Sequence, residues 1–360
     1  MPSPPEWNLI VCGGGSGGHL YPALAVVEEL RERLHPPREI LCLTSSRGID
    51  ANVLTDWALD AIPLAAPTGR AMVRRPWSLW KPFQRARDAI RTRRPAIALG
   101  TGGYASVPGI LAARSLGVPI VLLEQNAVLG QATSVLRRLA TETCVSFPST
   151  VTGVCETGNP VRRQIAELAE ARPQPKSSKT LLVLGGSQGS RAVSEAMTTV
   201  VQCSPELFDG WDVIHQAPAD SCEEAARLYG QLRIPAKVAP FFPDLPDIYR
   251  RTTLAISRAG GTTLAELACA GIPAILVPFP GSIRDHQFRN AQYFVDRSAA
   301  TIVEETPNDT FAVRIHLALQ TCINDDAVLA STSQAMQTLA RPYAAGEVAD
   351  LLDQIAAISL

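Results

Sequence analysis

Val11-Cys-Gly-Gly-Gly-Ser-Gly-Gly-His19 and Val183-Leu-Gly-Gly-Ser-Gln-Gly-Ser-Arg191 decide the fold. Each stretch leaves an apolar run, turns through glycines and enters a helical pattern, the strand–turn–helix signature of a nucleotide-binding α/β unit. The two lie 172 residues apart, close to half of the 360-residue chain. Outward from them, apolar runs alternate with helical stretches. Asn8–Cys12, Ile40–Leu43, Ala96–Leu99, Ile120–Leu123 and Glu142–Ser146 read as strands of the first half. Thr180–Leu184, Asp212–His215, Ala236–Ala239, Leu254–Ser257 and Ala274–Val277 do so in the second. Continuous apolar strands separated by helices imply parallel sheets covered on both faces. The expected architecture is α/β, with two Rossmann-like, doubly wound parallel-sheet domains facing a central cleft, spanning 1–163 and 164–343. Residues 172–180, with two prolines and two serines, read as a link near the boundary, and Asn159–Arg163 as an alternative hinge.

Composition agrees with a globular chain of two domains: 46% hydrophobic and 19% charged. Collagen-like, coiled-coil and disordered classes are excluded. Apolar runs such as Ala274–Phe279 fall far short of the roughly 18 residues of a membrane span. Met1–Trp7 shows no apolar leader core, so a cytoplasmic protein is expected. The eight cysteines form no CxxC pair and read as small apolar residues, several of them in strands. Charge is uneven. Residues 1–163 hold 18 basic against 12 acidic side chains, whereas the remainder holds 15 against 22. Nine basic residues fall between Arg70 and Arg94, opposed by Asp88 alone. A local basic patch in a near-neutral chain points to an anionic surface or ligand and away from general nucleic-acid binding.

Five constellations can carry chemistry. The first is Gly13–Gly18 with His19. It reads either as a bare tight turn or as backbone N–H groups at a helix N-terminus offered to a phosphate or sugar. A dinucleotide site needs an acidic residue after the second strand. Thr44-Ser-Ser-Arg47 stands there instead, which disfavours NAD and leaves a 2′-phosphate reading through Arg47. His19 at the helix entry reads as a buried, backbone-satisfied imidazole or as a general base, which must be neutral to act. The second is Gly100-Thr-Gly-Gly-Tyr104, a turn or a loop that admits a bulky ligand. The third is Glu124-Gln-Asn126, whose polar groups at the end of a buried strand need partners or a cleft; a cleft is expected.

The fourth is Arg258-Ala-Gly-Gly-Thr-Thr-Leu-Ala-Glu266, where a strand meets a helix and donors gather at a positive dipole end suited to a pyrophosphate. Thr263-x-x-Glu266 also fits a capping box, in which Glu266 ties back the helix entry; the competing role is to accept two ribose hydroxyls. His286, Gln287 and Asn290 share a helical face that is either solvated or functional. The fifth is Arg74, Arg75, Trp77, Leu79, Trp80, Lys81 and Phe83, with a basic helix behind them. Aromatics interleaved with cations suit a membrane interface; a core edge with a solvated helix is the alternative. Pro76 and Pro82 are expected to break any long amphipathic helix. The sequence carries no metal-ligand cluster, no HExxH or GxSxG, and no P-loop lysine.

Taken together, Gly14–His19, Gly102-Gly-Tyr-Ala-Ser106, Glu124-Gln-Asn126, Gly158-Asn-Pro-Val-Arg162, Gly185-Gly-Ser-Gln-Gly189, Arg258–Glu266 and His286-Gln287…Asn290 occur in the order of a known family. The chain resembles the MurG family of cell-wall GlcNAc transferases over about residues 8–345. The resemblance implies a GT-B fold and inverting transfer of GlcNAc from UDP-GlcNAc to the C4 hydroxyl of lipid I, the undecaprenyl-linked acceptor, giving lipid II without metal or cofactor. It implies that a C-terminal helix around 344–360 returns to the first domain. It places uracil on the backbone of Phe242, diphosphate or nearby donor atoms on Gly261, Thr262 and Thr263, and ribose on Glu266. Ser187, Arg162, Gln287 and Asn290 complete the donor side; Ser16, Gly17, Gly18, Tyr104 and Asn126 surround sugar and acceptor. His19 is the expected base, with Glu124 second. Ser16 stands where the family usually has Thr and keeps the hydroxyl; Phe242 stands where an aliphatic residue is common. The aromatic–basic patch is expected on an anionic membrane surface at the cytoplasmic face, with a cell-wall synthesis complex as a further partner. Three other readings remain at this point: a related transferase with another acceptor, an NADP-dependent oxidoreductase, and a non-catalytic nucleotide-sugar binder.

Overall fold

The computed structural model describes residues 7–66, 76–170, 179–186, 189–306 and 310–359. Two compact units emerge, Met1–Arg163 with Tyr343–Leu360, and Gln164–Pro342. The first is built on seven strands: β1 Asn8–Cys12, β2 Glu39–Thr44, β3 Asp60–Pro63, β4 Ile97–Gly100, β5 Ile120–Glu124, β6 Glu142–Val145 and β7 Cys155–Glu156. They pair in parallel in the order β3-β2-β1-β4-β5-β6-β7. Val11 lies between Cys42 and Leu99, so β1 and β4 flank the point where the strand order reverses. Loops leaving these two strands diverge and open a crevice at their carboxyl ends.

Strand alternation assigns the two faces of this sheet. Leu9 and Val11 pack with Leu20, Leu24 and Val27 of the helix Gly17–Arg31 and with Val348, Leu352 and Ala356 of the helix Ala344–Ser359. Ile10 and Cys12 face the other way, towards Ile90 and Ile110 of the helices Trp80–Arg93 and Gly103–Ser115. Arg33 forks to Asp350 at 2.7 Å and Asp353 at 2.5 Å, fastening the Ala344–Ser359 helix.

The second unit repeats the plan with β8 Lys179–Leu184, β9 Trp211–Gln216, β10 Ala236–Ala239, β11 Leu254–Ser257, β12 Ala274–Leu276 and β13 Ala300–Ile302, ordered β10-β9-β8-β11-β12-β13 and all parallel. Leu181, Val183, Val213 and Ile256 pack against Met197 and Val200 on one helix and Phe311 and Leu319 on another. Here the order reverses between β8 and β11.

Three strands, β3, β7 and β13, escape the sequence pattern. Each lies at a sheet edge, and edge strands need no continuous apolar run. A correction concerns Pro82, which does not break a helix. It is the third residue of Trp80–Arg93, in the first turn, where a proline removes no intrahelical bond. Cys155 and Cys203 are exposed, so not every cysteine is an interior residue.

Candidate active site

The turn after β1 is laid down by its neighbours. Gly15 has φ +86°, and its N–H donates to Asp50 Oδ2 at 2.7 Å. Its carbonyl accepts from Arg47 Nη1 at 2.6 Å. Arg47 is therefore committed to the loop backbone, which removes the motive for a 2′-phosphate site. Ser16 is the N-cap of Gly17–Arg31, in extended conformation, with no side-chain cap bond. Gly17 and Gly18 open the helix, and His19 is its third residue.

His19 is held through one ring nitrogen. Its Nδ1 lies 3.0 Å from the Thr101 carbonyl and 3.1 Å from Gln125 Oε1. A carbonyl can only accept, so Nδ1 carries the hydrogen and Nε2 of the neutral ring is left as the acceptor. The ring rests on Gly102 and Gly103; a Cβ at Gly103, where φ is +70°, would come within 3.2 Å of Cδ2 and 3.4 Å of Nε2. The backbone satisfies one nitrogen, as the structural reading of His19 supposed, but the ring itself is only half-buried.

Glu124 is differently employed. Oε1 accepts from the N–H and the side-chain amide of Asn126, at 3.2 and 3.0 Å, and Oε2 from the Gly130 N–H at 2.8 Å. Both oxygens shape the loop after β5. Glu124 and Gln125 are buried, so these polar groups are compensated by partners and not by exposure to a cleft. Tyr104, half-buried in the first turn after β4, donates to Gln131 Oε1 at 2.7 Å. Arg162 lays its guanidinium 5.1 Å from the centroid of Tyr21.

In the second unit, Gly260 is the N-cap of Gly261–Cys269. Gly261, Thr262 and Thr263 form the first turn, and their N–H groups face the positive dipole end. This overturns the capping box. Thr263 is already the third helical residue, and Glu266 lies a turn further on. The Glu266 carboxylate is buried and accepts from Tyr249 OH at 2.9 Å. Asn290 is wholly buried and donates to the Ala259 carbonyl at 3.1 Å, so it is not part of a solvated face, whereas His286 and Gln287 are only half-buried. Gln287 Oε1 accepts from the Phe279 N–H at 3.0 Å. Phe242 is buried, with Lys237 Nζ 5.5 Å from its ring centroid.

Sequence reasoning did not single out the guanidinium of Arg258. It reaches the carbonyls of Val277 and Pro278 at 3.2 and 3.4 Å, Ser190 Oγ at 2.6 Å, and the Glu305 carboxylate. One side chain thus joins the loops after β8, β11, β12 and β13. Gly185 turns so tightly that a Cβ would lie 2.2 Å from the Ser190 nitrogen. Asp50 was missed as well; an acidic residue early in a helix looks from sequence like a surface partner of the dipole.

Trp77 and Trp80 are 70% and 62% exposed, with Lys81 exposed beside them and Phe83 stacked 6.1 Å from Trp80. The two tryptophans stand clear of the core, whereas Phe83 packs against its edge. Leu79 is half-buried. Arg74, Arg75 and Ser187 lie outside the described residues, as does most of 172–180. Among the described residues, no group of three His, Cys, Asp or Glu side chains could hold a metal, and no helix is long and apolar enough to cross a membrane.

Two parallel α/β sheets of the same strand order, each with a glycine turn at its reversal point, form a GT-B glycosyltransferase. Residues 9–145 match the glycosyltransferase family 28 N-terminal domain, and residues 180–348 match its C-terminal domain. The UDP-N-acetylglucosamine--N-acetylmuramyl-(pentapeptide) pyrophosphoryl-undecaprenol N-acetylglucosamine transferase of Xanthomonas campestris pv. campestris (strain 8004) is 36% identical, covering 96% of this chain and 81% of its own. The protein of that name from Ectopseudomonas mendocina (strain ymp) is 34% identical over 97% and 98% of the two chains. The crystal structure of Acinetobacter baumannii MurG superposes with a TM-score of 0.77 at 26% identity, covering 97% and 100%. The chain belongs to the MurG family of glycosyltransferases.

Proposed function

We infer that this chain transfers GlcNAc from UDP-GlcNAc to the C4 hydroxyl of the MurNAc in undecaprenyl-pyrophosphoryl-MurNAc-pentapeptide, forming lipid II. Whole-length similarity to transferases of that name supports the substrates. The structural observation that carries the chemistry is the locked tautomer of His19, which leaves Nε2 as a proton acceptor. His19 takes the hydroxyl proton as the oxygen forms its bond to the anomeric carbon and the bond to the UDP oxygen breaks on the opposite face, inverting α to β. Glu124, with both oxygens committed to backbone and amide donors, shapes the loop instead of acting as base.

Charge developing on the leaving diphosphate falls to the first-turn N–H groups of Gly261, Thr262 and Thr263, whose dipole is fixed before the reaction begins. Glu266 accepts the ribose hydroxyls, and Phe242 and Gln287 serve the same donor side. Ser16, Gly17, Gly18, Tyr104 and Asn126 serve sugar and acceptor in the first unit, and Arg162 adds a cation for the diphosphate. The exposed Trp77–Trp80 pair with Lys81, continued by the basic helix, suits an anionic membrane surface at the cytoplasmic face, where the lipid-linked acceptor is held.

The test is UDP release from UDP-GlcNAc with and without a short-chain lipid I analogue. Acceptor-dependent release with a disaccharide-lipid product is expected. Tight donor binding with no acceptor-dependent release would point to a different acceptor. In the same preparation, Trp77→Ala/Trp80→Ala weakens binding to anionic vesicles while turnover of the soluble analogue persists; undiminished binding would move the membrane surface elsewhere.

A further inference from the structure

We propose that Asp50 and Arg47 form a positioning clamp on Gly15 that sets the entry of the Gly17–Arg31 helix and so the placement of His19. The proposal rests on the reading of His19 as the base. Asp50 is 0% exposed, and its Oδ2 gathers three donors: the Gly15 N–H at 2.7 Å, Thr44 Oγ1 at 2.8 Å and Ser45 Oγ at 2.6 Å. Its other oxygen is buried with no hydrogen-bond partner among the described residues. A buried carboxylate is costly unless hydrogen-bonded, and here every bond it makes converges on the oxygen that faces the loop.

Asp50 is the third residue of Gly48–Asp56, where an acidic side chain ordinarily faces its own helix N-terminus. This carboxylate turns away to join the end of β2 to the turn after β1. From the other side, Arg47 Nη1 takes the Gly15 carbonyl at 2.6 Å. Both main-chain polar groups of Gly15 are thus held while its φ is +86°, a region open chiefly to glycine. The preceding residue seats directly on the clamp, for a Cβ at Gly14 would fall 2.4 Å from Thr44 Oγ1 and 2.5 Å from Asp50 Oδ2. The helix begins two residues beyond Gly15, and His19 is in its first turn, so a rotation of the Gly15 peptide moves the imidazole. Displacement of a reacting group by an ångström can cost about 100-fold in rate.

The experiment measures kcat, donor affinity and local amide exchange for Asp50→Asn, Asp50→Ala and Arg47→Ala, below the unfolding temperature of each. Asn retains an oxygen for the Gly15 N–H but loses the charge. Expected falls in kcat are about 100-fold for Ala at position 50, about 10-fold for Asn and about 5-fold for Arg47→Ala, with UDP-GlcNAc affinity unchanged within about two-fold. Partial rescue by Asn and the split between kcat and affinity would not arise from a general loss of folded protein. Arg47 is exposed, so its variant keeps the test alive if Asp50→Ala does not fold. Amides of residues 13–18 exchange faster in each variant. Wild-type kcat in folded Asp50→Asn and Arg47→Ala overturns the proposal. If the wild-type protein itself transfers no sugar, the functional reading fails instead; unchanged exchange at 13–18 then overturns the clamp, and faster exchange supports it.

Discussion

In the first unit the glycine turn at the reversal point leans on a buried carboxylate, Asp50; in the second it leans on a buried guanidinium, Arg258. Both side chains tie neighbouring strand ends together, and both stand beside a helix N-terminus. Their charges are opposite. The first turn leads into His19, whose Nδ1 is held by the Thr101 carbonyl and Gln125 and which is the base of the proposed reaction. In the second unit the N–H groups and dipole proposed for the diphosphate gather apart from the glycine turn, at the Gly261–Cys269 helix start after β11, and Arg258 is already bonded to Glu305. Duplicated architecture therefore does not duplicate its braces: equivalent turns are held by side chains of opposite charge.

The sharpest way to break this comparison is His19→Ala. A fall in kcat of about 10²–10⁴ is expected, with donor affinity preserved. An unchanged kcat would remove the proton-transfer role from the first turn. Next comes Arg258→Met, which strands the Glu305 carboxylate, Ser190 and two carbonyls. A loss of about 3–5 kcal/mol in stability of the second unit is expected by denaturant titration. Smaller loss would mean that the glycine turn holds without its cation.

A third test sets His215 beside His19. His215 is buried edge-on to Tyr229, with Nδ1 3.1 Å from the phenol oxygen, and burial pushes its pKa down from 6.5 to about 4. Between those values the unfolded chain binds a proton that the folded one refuses. Stability of the second unit therefore declines as pH falls from about 6.5 towards 4, by up to roughly 3 kcal/mol. The His215→Phe variant should flatten that profile in urea titrations; an equal slope would assign the loss to other groups. Last is Glu266→Ala, expected to weaken UDP-GlcNAc by one to two orders of magnitude, about 1.5–3 kcal/mol for a charged hydrogen-bonding group. Calorimetry would sink the ribose assignment if affinity held while stability fell.

How much of this was legible depended on whether the signal was local. The central strands announced themselves because both faces are covered, and Asn8–Cys12 and Leu254–Ser257 were bounded to the residue; Ala236–Ala239 was bounded as well, although it is an exposed edge strand. Asp60–Pro63 and Ala300–Ile302 were not, because an edge strand resembles a turn flanked by helices. The motif Thr263-x-x-Glu266 satisfied a local rule, yet Gly260 and Gly261 let the helix begin earlier, and the local rule lost. Pro82 misled in the same manner, since its tolerance depends on which residue starts the helix. For Asp50 and Arg258 nothing in the neighbouring sequence could disclose burial. Gly15 lies 35 positions from Asp50 and Ser190 lies 68 from Arg258, and only the sheet order brings these pairs together.

The helix Ala344–Ser359 completes the core of a unit whose other residues end at Arg163. Val348, Leu352 and Ala356 join Leu24 and Val27 in one buried cluster. During synthesis the ribosome must add the whole of Gln164–Pro342 before those side chains exist. At about 5–20 residues per second that interval lasts on the order of 10–40 s. Throughout it, the face of the sheet behind His19 is covered by the Gly17–Arg31 helix without its partner Ala344–Ser359, and when Pro342 is added the later-made unit has its full sequence before that partner exists. The half of the enzyme that is translated first is thus the half whose core-forming residues are completed last.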